Sequence, residues 1–130
     1  MSSVNKRTVE QYMEGFRRSD RKYILSCLTD DVEWVIPGWF HVQGRESFSS
    51  HIVDDGFTAN PKITISRMIE EGDIVVAEGT AIAPKQDGTE LTLVFCDVFQ
   101  MRDGKIARLV SYLMETKPDG RKGAVHEVLD

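Results

Sequence analysis

Four strand-length segments joined by very short turns, all in the second half of the chain, constrain the fold most. They are "KITISRMIEEG", "DIVVAEGTAIA", "TELTLVFCDVFQM" and "KIARLVSYLME", each rich in β-branched and aromatic residues. Glu-Gly-Asp, Asp-Gly and Arg-Asp-Gly-Lys sequences mark the turns between them. Because parallel strands need a long crossover connection, turns this short predict an antiparallel meander.

The first half of the chain is mainly helical in pattern. Residues 4–18 carry an apolar stripe at helical spacing, formed by Val9, Tyr12, Met13 and Phe16. A short second helix is predicted in "SDRKYILSCLTDDV", with Ser19 or Asp20 as its N-cap, and a third from about 45 to 53. "VEWVI" alternates as a strand and stops at Pro37-Gly38. Helices followed by a sheet predict an α+β domain over residues 1–117, with 118–130 as an appended tail.

Composition excludes several classes of function. The net charge of −5 argues against a nucleic-acid partner, and three scattered histidines give no metal-ligand spacing. No phosphate-binding glycine loop is present, so no cofactor is expected. The longest apolar runs are too short to cross a membrane, and no signal segment opens the chain, which predicts a cytoplasmic protein. Cys27 and Cys96 are predicted to be buried thiols rather than a disulfide.

The order of these elements resembles the nuclear-transport-factor-2-like (NTF2-like) superfamily, and within it the SnoaL-like and ketosteroid-isomerase-like branch. The resemblance lies in "QYMEGFRRSDRKYILSCLTDDVEWVIPG", "HVQGRESF", "EEGDIVVAEGTA" and "CDVFQMRDGKIARLVSY". It implies a cystatin-like cone in which three helices pack on a curved sheet around a pocket, and a homodimer formed through the outer face of the sheet. Because this fold carries isomerases, cyclases, epoxide hydrolases and pure binders, it does not define the activity.

The resemblance also implies roles for individual residues. Ketosteroid isomerases use a helix Tyr and a protonated Asp to donate hydrogen bonds to an enolate oxygen, while a separate Asp moves the proton. By motif, Tyr12 of "EQYMEGF" and Asp97 of "FCDVFQMRDGK" match the two donors. The base falls on Ile36, which cannot take a proton. The chain therefore differs from a standard ketosteroid isomerase.

Asp97 is the strongest individual candidate from the residues themselves. It interrupts the apolar run "LTLVFCDVF", on the strand face that also carries Phe95 and Phe99. Burial without a cation raises the pKa of a carboxyl group, so Asp97 is predicted to be a general acid or hydrogen-bond donor. The alternative is a structural Asp bonded to a backbone N–H or a helix end.

Two residues are candidates for a substitute base. Strand alternation places Glu78 and Thr80 on one face, which the resemblance would aim at the cavity. The alternative for Glu78 is a solvent-facing position. His41 follows the Pro-Gly corner and has a pKa range suited to proton transfer, with surface exposure as its alternative.

Aromatic and apolar residues near the corner and on the later strands are predicted to contact a ligand, although they equally suit a core or a dimer surface. The predicted binding residues are Trp34, Ile36, Trp39, Phe40, Phe95 and Thr80. Three hypotheses follow: an acid–base enzyme of isomerase, cyclase or hydrolase type acting on an apolar carbonyl-containing metabolite, a non-catalytic binder of such a molecule, or a dimeric interaction module.

Overall fold

A computed structural model describes residues 3–52 and 60–116 of the chain. These residues contain three helices, α1 (Val4–Arg17), α2 (Arg21–Ser26) and α3 (Arg45–Ser50), and six strands. The strands are β1 (Leu28–Ile36), β2 (Phe40–Gln43), β3 (Lys62–Glu71), β4 (Ile74–Pro84), β5 (Glu90–Arg102) and β6 (Lys105–Glu115). They form one sheet in the order β2-β1-β6-β5-β4-β3, in which only the β1–β6 pair is parallel. The predicted α+β fold with three helices on a mostly antiparallel sheet is confirmed.

The helices form as their sequences predict at their N-termini. The Ser3 hydroxyl caps α1 by accepting a hydrogen bond from the backbone N–H of Lys6. The Asp20 side chain caps α2 by accepting a hydrogen bond from the backbone N–H of Tyr23. Of the two predicted N-cap residues, Asp20 is therefore the one observed. The predicted end of the third helix at 53 and the predicted tail at 118–130 lie outside the described residues.

The second helix is shorter than predicted, because part of its sequence belongs to β1. Helix α2 ends at Ser26, and β1 begins at Leu28, where it pairs with Ile106 of β6. The backbone N–H of Ile106 donates to the carbonyl of Cys27 at 2.8 Å. A strand pairing between residues far apart in sequence therefore overrides the local helical pattern.

The corner at Pro37-Gly38 is a hairpin turn, and its second arm is the unpredicted strand β2. The backbone N–H of Trp39 donates to the carbonyl of Ile36 at 2.9 Å, and Gly38 has a φ of +86°, which glycine adopts without strain. Ile36 then pairs with Phe40, so their side chains share one face of the sheet.

The four later strands match the prediction and give the sheet two distinct faces. The side of the sheet that packs on the helices is called the inner face, and the opposite side is called the outer face. In β4, β5 and β6, Ala77, Asp97 and Ser111 lie directly opposite one another on the inner face, and all are buried. One residue along, the outer face carries Glu78, Cys96, Tyr112 and their neighbours. None of the helices in the described ranges is long and apolar enough to span a bilayer.

Candidate functional site

Asp97 is the chemical centre of the inner face. Its side chain is 7% exposed, and within the described part of the chain its Oδ1 atom has no hydrogen-bond partner. Burial raises the pKa of Asp97 to about 7, and the Ser111 hydroxyl on the facing strand opposes part of that rise. The carboxyl group can therefore be protonated or ionised near neutral pH, which suits both proton donation and proton acceptance.

Ser111 and Trp34 connect Asp97 to the edge of the sheet that β1 and β2 form. Ser111 lies directly across from Asp97 on β6 and is 4% exposed. Its Oγ atom accepts a hydrogen bond from Nε1 of Trp34 at 3.1 Å. The sequence prediction missed Ser111, although a single hydroxyl on an apolar strand face, between Leu109 and Leu113, was an available signal.

Tyr12 of α1 belongs to the same interior region. Its side chain is 3% exposed, and its ring contacts those of Phe16, Phe48 and Phe99 edge-on at centroid distances of 5.0, 6.3 and 5.5 Å. Burial raises the pKa of Tyr12, and the nearby Asp97 charge raises it further. The phenol therefore stays protonated at neutral pH, so it can act as a hydrogen-bond donor beside the carboxyl group.

Further aromatic side chains lie near Tyr12 and on the sheet face that carries Asp97. Trp34 stacks on Phe48 of α3 with a centroid distance of 4.1 Å and an interplanar angle of 19°, and the Phe40 ring meets it edge-on at 5.2 Å. Ile36 and Phe95 are also buried on the inner face. The structure thus brings together Asp97, Tyr12 and four of the six predicted binding residues.

Trp39 and Thr80, the other two predicted binding residues, lie elsewhere. Trp39 occupies the turn before β2 and is 75% exposed. Thr80 pairs with Val94 and sits on the outer face of the sheet. The predicted cavity-facing orientation of Thr80 is wrong, because β4 turns its odd-numbered residues inward.

Glu78 has the same orientation as Thr80 and therefore does not face Asp97. Its carboxylate pairs with Arg67 of β3, with an Oε1 to Nη2 distance of 2.6 Å. Ala77, one residue earlier, is the β4 residue that lies opposite Asp97. The predicted cavity-facing position of Glu78 is wrong for this reason, and its solvent-facing alternative is the one observed.

His41 is also on the outer face, where it lies opposite Val35 of β1. Its side chain is 59% exposed, and its Nε2 lies 2.5 Å from the Glu33 carboxylate. Its position matches the surface alternative, and the ring points away from the side of the sheet that carries Asp97. Neither of the two candidate bases therefore shares the site with Asp97.

Because Glu78 and His41 lie on the outer face, neither of them sets the electrostatics around Asp97. Among the described residues, burial raises the pKa of Asp97 and the Ser111 hydroxyl lowers it. Within residues 3–52 and 60–116, no three His, Cys, Asp or Glu side chains are grouped so that they could hold a metal ion. The arrangement is a buried carboxyl group and a phenol in apolar aromatic surroundings.

Comparison with known proteins places the chain in a family. The sequence profile of the SnoaL-like domain matches residues 9–109. No curated protein sequence is significantly similar to the chain. Among solved structures, an NTF2-like protein of unknown function from Burkholderia pseudomallei is 24% identical, with a TM-score of 0.79 over 87% of this chain and 92% of that one.

Two further structures carry information about ligands or activity. TerC, co-crystallised with polyporic acid, is 30% identical, with a TM-score of 0.72 over 96% of this chain and 97% of that one. An LEH-like epoxide hydrolase from M. tuberculosis is 20% identical, with a TM-score of 0.74 over 97% of this chain and 92% of that one. The last shares the fold, at an identity too low to transfer activity. With its profile match over residues 9–109, the chain belongs to the SnoaL-like domain family, and its fold is NTF2-like.

Proposed function

We propose that this protein binds an apolar, carbonyl-containing metabolite on the inner face of its sheet and acts on it by acid–base chemistry. Asp97 is the acid and Tyr12 a second hydrogen-bond donor. The observation that carries the proposal is the unpaired Oδ1 of Asp97, a buried polar atom in apolar surroundings. A buried polar atom without a partner costs free energy, and a ligand atom that pairs with it would recover that cost.

The chemistry follows from the protonation states of the two side chains. A neutral carboxyl group and a neutral phenol both donate hydrogen bonds to a carbonyl oxygen. These bonds strengthen as negative charge develops on that oxygen, so they favour an enolate-like transition state over the ground state. Because the pKa of Asp97 is about 7, its ionised form is also available; in that form it takes up and returns the substrate proton while Tyr12 alone donates to the carbonyl oxygen.

The base that ketosteroid isomerases carry separately is replaced here by the apolar, buried Ile36. The outer-face residues Glu78 and His41 have no part in the proposal. The inner face offers one carboxyl group, Asp97. A cyclase or isomerase reaction in which that group first accepts and then returns the proton therefore fits better than a two-carboxylate mechanism.

Small-molecule binding is common in this family, and the TerC structure contains an organic acid. That relative supports polyporic acid as a first probe for this chain. The competing function is binding without catalysis, in which Asp97 and Tyr12 only orient a carbonyl group. Ile36 favours this alternative, because an isoleucine at that position leaves the site without a second group that can transfer a proton.

The outer face supports a proposal about assembly. Val94, Tyr112 and Met114 are large side chains exposed there, at 38%, 53% and 66%. We propose that the β5–β6 part of this face joins two copies of the chain and leaves the Arg67–Glu78 pair in solvent, in agreement with the dimer that the family resemblance implies. Light scattering after size-exclusion chromatography should give twice the chain mass, and Tyr112→Asp should give the monomer mass.

A ligand screen tests the proposed function. Thermal shift with polyporic acid and with sets of steroid, terpenoid and polyketide compounds should reveal a binder, because a ligand of the native state raises the melting temperature. Asp97→Leu and Tyr12→Phe should each weaken the affinity of that binder about tenfold, since each removes one donor worth roughly 1–1.5 kcal/mol.

Glu78→Gln is the matched control, because it neutralises a carboxylate on the other face. Its affinity should equal that of the wild type. Binding that is unchanged in both Asp97→Leu and Tyr12→Phe would remove the proposed site. Turnover in the wild type that disappears in Asp97→Asn distinguishes the enzyme from the binder.

A further inference from the structure

His51, at the C-terminal end of α3, is a partly buried imidazole on the inner side of the sheet. Its ring contacts that of Phe40 at a centroid distance of 4.6 Å, and the Phe40 ring in turn meets Trp34. Phe40 pairs with Ile36 across the β1–β2 hairpin, and their side chains share the inner face. The imidazole therefore lies on the inner side near Ile36, an apolar residue that cannot take a proton.

Hydrogen bonds at the end of α3 determine which ring nitrogen of His51 carries hydrogen. Nδ1 lies 2.8 Å from the carbonyl oxygen of Ser47, which can only accept, so Nδ1 must be the donor. The Ser50 hydroxyl is 3.2 Å from Nδ1 and donates its own hydrogen to the same carbonyl at 2.9 Å, so it also can only accept from the ring. In the neutral ring, Nε2 is left with a lone pair and has no hydrogen-bond partner among the described residues.

The backbone that carries His51 is held by contacts on both sides. The guanidinium group of Arg21 on α2 donates hydrogen bonds to the carbonyl oxygens of Ser49 and Ile52, which flank His51. Phe48, in the same helix, is fully buried. A proton-transfer group must be held in place by its surroundings, because a small displacement from the reacting atom lowers the rate strongly. The end of α3 meets this requirement.

Asp97 and Ile36 lie in one row across the inner face. Asp97 is opposite Ser111 of β6, and the preceding residue Val110 is opposite Val35 of β1, so Ser111 and Ile36 come next to each other. Two strand spacings of about 4.8 Å each thus separate the backbones at the two ends of the row. A ring-shaped molecule along this row would lie between the carboxyl group and the imidazole.

We propose that Nε2 of His51 is the catalytic base of this site, acting on ketones that carry a hydrogen on the carbon next to the carbonyl group. Nε2 takes a proton from that carbon, the C–H electron pair becomes the C=C bond of an enolate, and the carbonyl π electrons move to the oxygen. Neutral Asp97 and Tyr12 donate hydrogen bonds to that oxygen. Return of the proton from Nε2 to the same carbon, or to a conjugated one, completes an exchange or an isomerisation. The assignment rests on the proposed function and leaves Asp97 a donor throughout.

Hydrogen exchange of 2-tetralone in D₂O tests the base with a simple ketone. Removal of a C1 proton by a base that exchanges with solvent, followed by return of a deuteron, replaces hydrogen by deuterium without any other reagent. Proton NMR should show that the wild type accelerates the loss of the C1 signal over buffer. His51→Gln should lower this protein-dependent rate at least about a hundredfold, the usual lower bound for loss of a general base.

His41→Gln is the matched control, because it removes a histidine on the outer face. Its exchange rate should equal that of the wild type. Equal rates in His51→Gln and the wild type would overturn the assignment.

Imidazole rescue separates a base from a residue that only ends a helix. His51→Ala should lose exchange, and added imidazole should restore it at least about tenfold in this variant while leaving the wild-type rate unchanged. Thermal melting of His51→Ala verifies that the variant is folded. A folded His51→Ala that imidazole does not rescue would contradict the role of a base.

The tautomer of His51 can be read without a ligand. In long-range ¹H–¹⁵N correlation spectra of the neutral imidazole, the Nδ1 resonance should be that of a protonated ring nitrogen and the Nε2 resonance that of an unprotonated one. The opposite tautomer would leave no lone pair on Nε2 and would overturn the assignment.

The exchange measurements also separate this inference from the proposed function. Asparagine still donates a hydrogen bond but cannot act as a base, so Asp97→Asn should lower the rate less than His51→Gln does. Exchange that disappears in Asp97→Asn and survives in His51→Gln would make Asp97 the base, so that the His51 assignment fails and the proposed function stands. If 2-tetralone raises the melting temperature of the wild type without exchange, the assignment fails and the binding site stands. If 2-tetralone neither binds nor exchanges, both fail.

Discussion

Asp97 and Glu78 lie on neighbouring strands, one residue away from being direct partners, yet they occupy opposite faces of the sheet. Asp97 is buried with Oδ1 unpaired, and its pKa rises to about 7. The Glu78 side chain is 41% exposed, and its carboxylate pairs with Arg67. Two similar carboxyl groups therefore have different chemistry, because one loses its hydration and the other keeps both water and a cation.

The face of the sheet on which a carboxyl group lies, and not its residue type, thus determines whether burial raises its pKa. The inner face removes the hydration of the Asp97 carboxylate, and among the described residues the Ser111 hydroxyl opposes the resulting rise in its pKa. On the outer face a carboxylate stays charged without penalty. Substitutions on the two faces should therefore differ in effect, with the largest at Asp97 and the smallest at Arg67.

Asp97→Asn should have the largest effect, on the pH dependence of stability. Folded Asp97 binds its proton more tightly than an unfolded Asp with a pKa of about 3.9, so its stabilising contribution is complete below about pH 4 and is lost as the pH rises through about 7. The gap corresponds to roughly 4 kcal/mol. The free energy of unfolding of the wild type should fall by up to that amount between about pH 4 and pH 8, and that of Asp97→Asn should not.

Urea denaturation at a series of pH values measures this directly. Glu78→Gln is again the matched control, and its pH dependence over the same range should follow the wild type. A fall in stability that persists unchanged in Asp97→Asn would show that another group causes it, and would remove the buried, proton-binding carboxyl group from the site.

Gly79→Ala should have an intermediate effect, on the packing of the inner face. A Cβ atom at Gly79 would lie 2.0 Å from the carbonyl oxygen of Thr64 and 2.8 Å from Cζ of Phe95. Backbone or ring must shift, and such overpacking typically costs about 1–3 kcal/mol. Thr80→Ala, on the outer face next to it, should change the free energy of unfolding by about 0.5 kcal/mol or less. Equal effects for the two variants would contradict the close approach of β3, β4 and Phe95.

Arg67→Gln should have the smallest effect, because it breaks an ion pair on the exposed outer face. The side chains of Arg67 and Glu78 are 63% and 41% exposed, and pairs of this kind contribute between about 0 and 1 kcal/mol. Added salt should reduce the difference from the wild type further. A loss of several kcal/mol, measured by urea denaturation, would show that the outer face is not solvated as described.

The sequence predicted most of the elements and the central residue of the site. The apolar stripe through Tyr12 and the apolar run around Asp97 predicted a buried phenol and a buried carboxyl group, and both are observed. The orientation of β4 was predicted wrongly. Alternation with a period of two separates the residues of a strand into two sets without saying which set faces the core. In "DIVVAEGTAIA" the set with Glu78 and the set with Ala77 both contain small or apolar residues, so the pattern leaves the choice open.

By itself, the sequence determined that helices precede an antiparallel meander, and that Asp97 lies on an apolar strand face. These features depend on local spacing, which the chain carries in its order of residues. Only the tertiary structure decided that Ala77 faces Asp97, that β1 begins at Leu28 against β6, and that Trp34 donates to Ser111, 77 positions away. Strand register and long-range hydrogen bonds depend on which distant segments pack together, and that selection is made by the whole core at once.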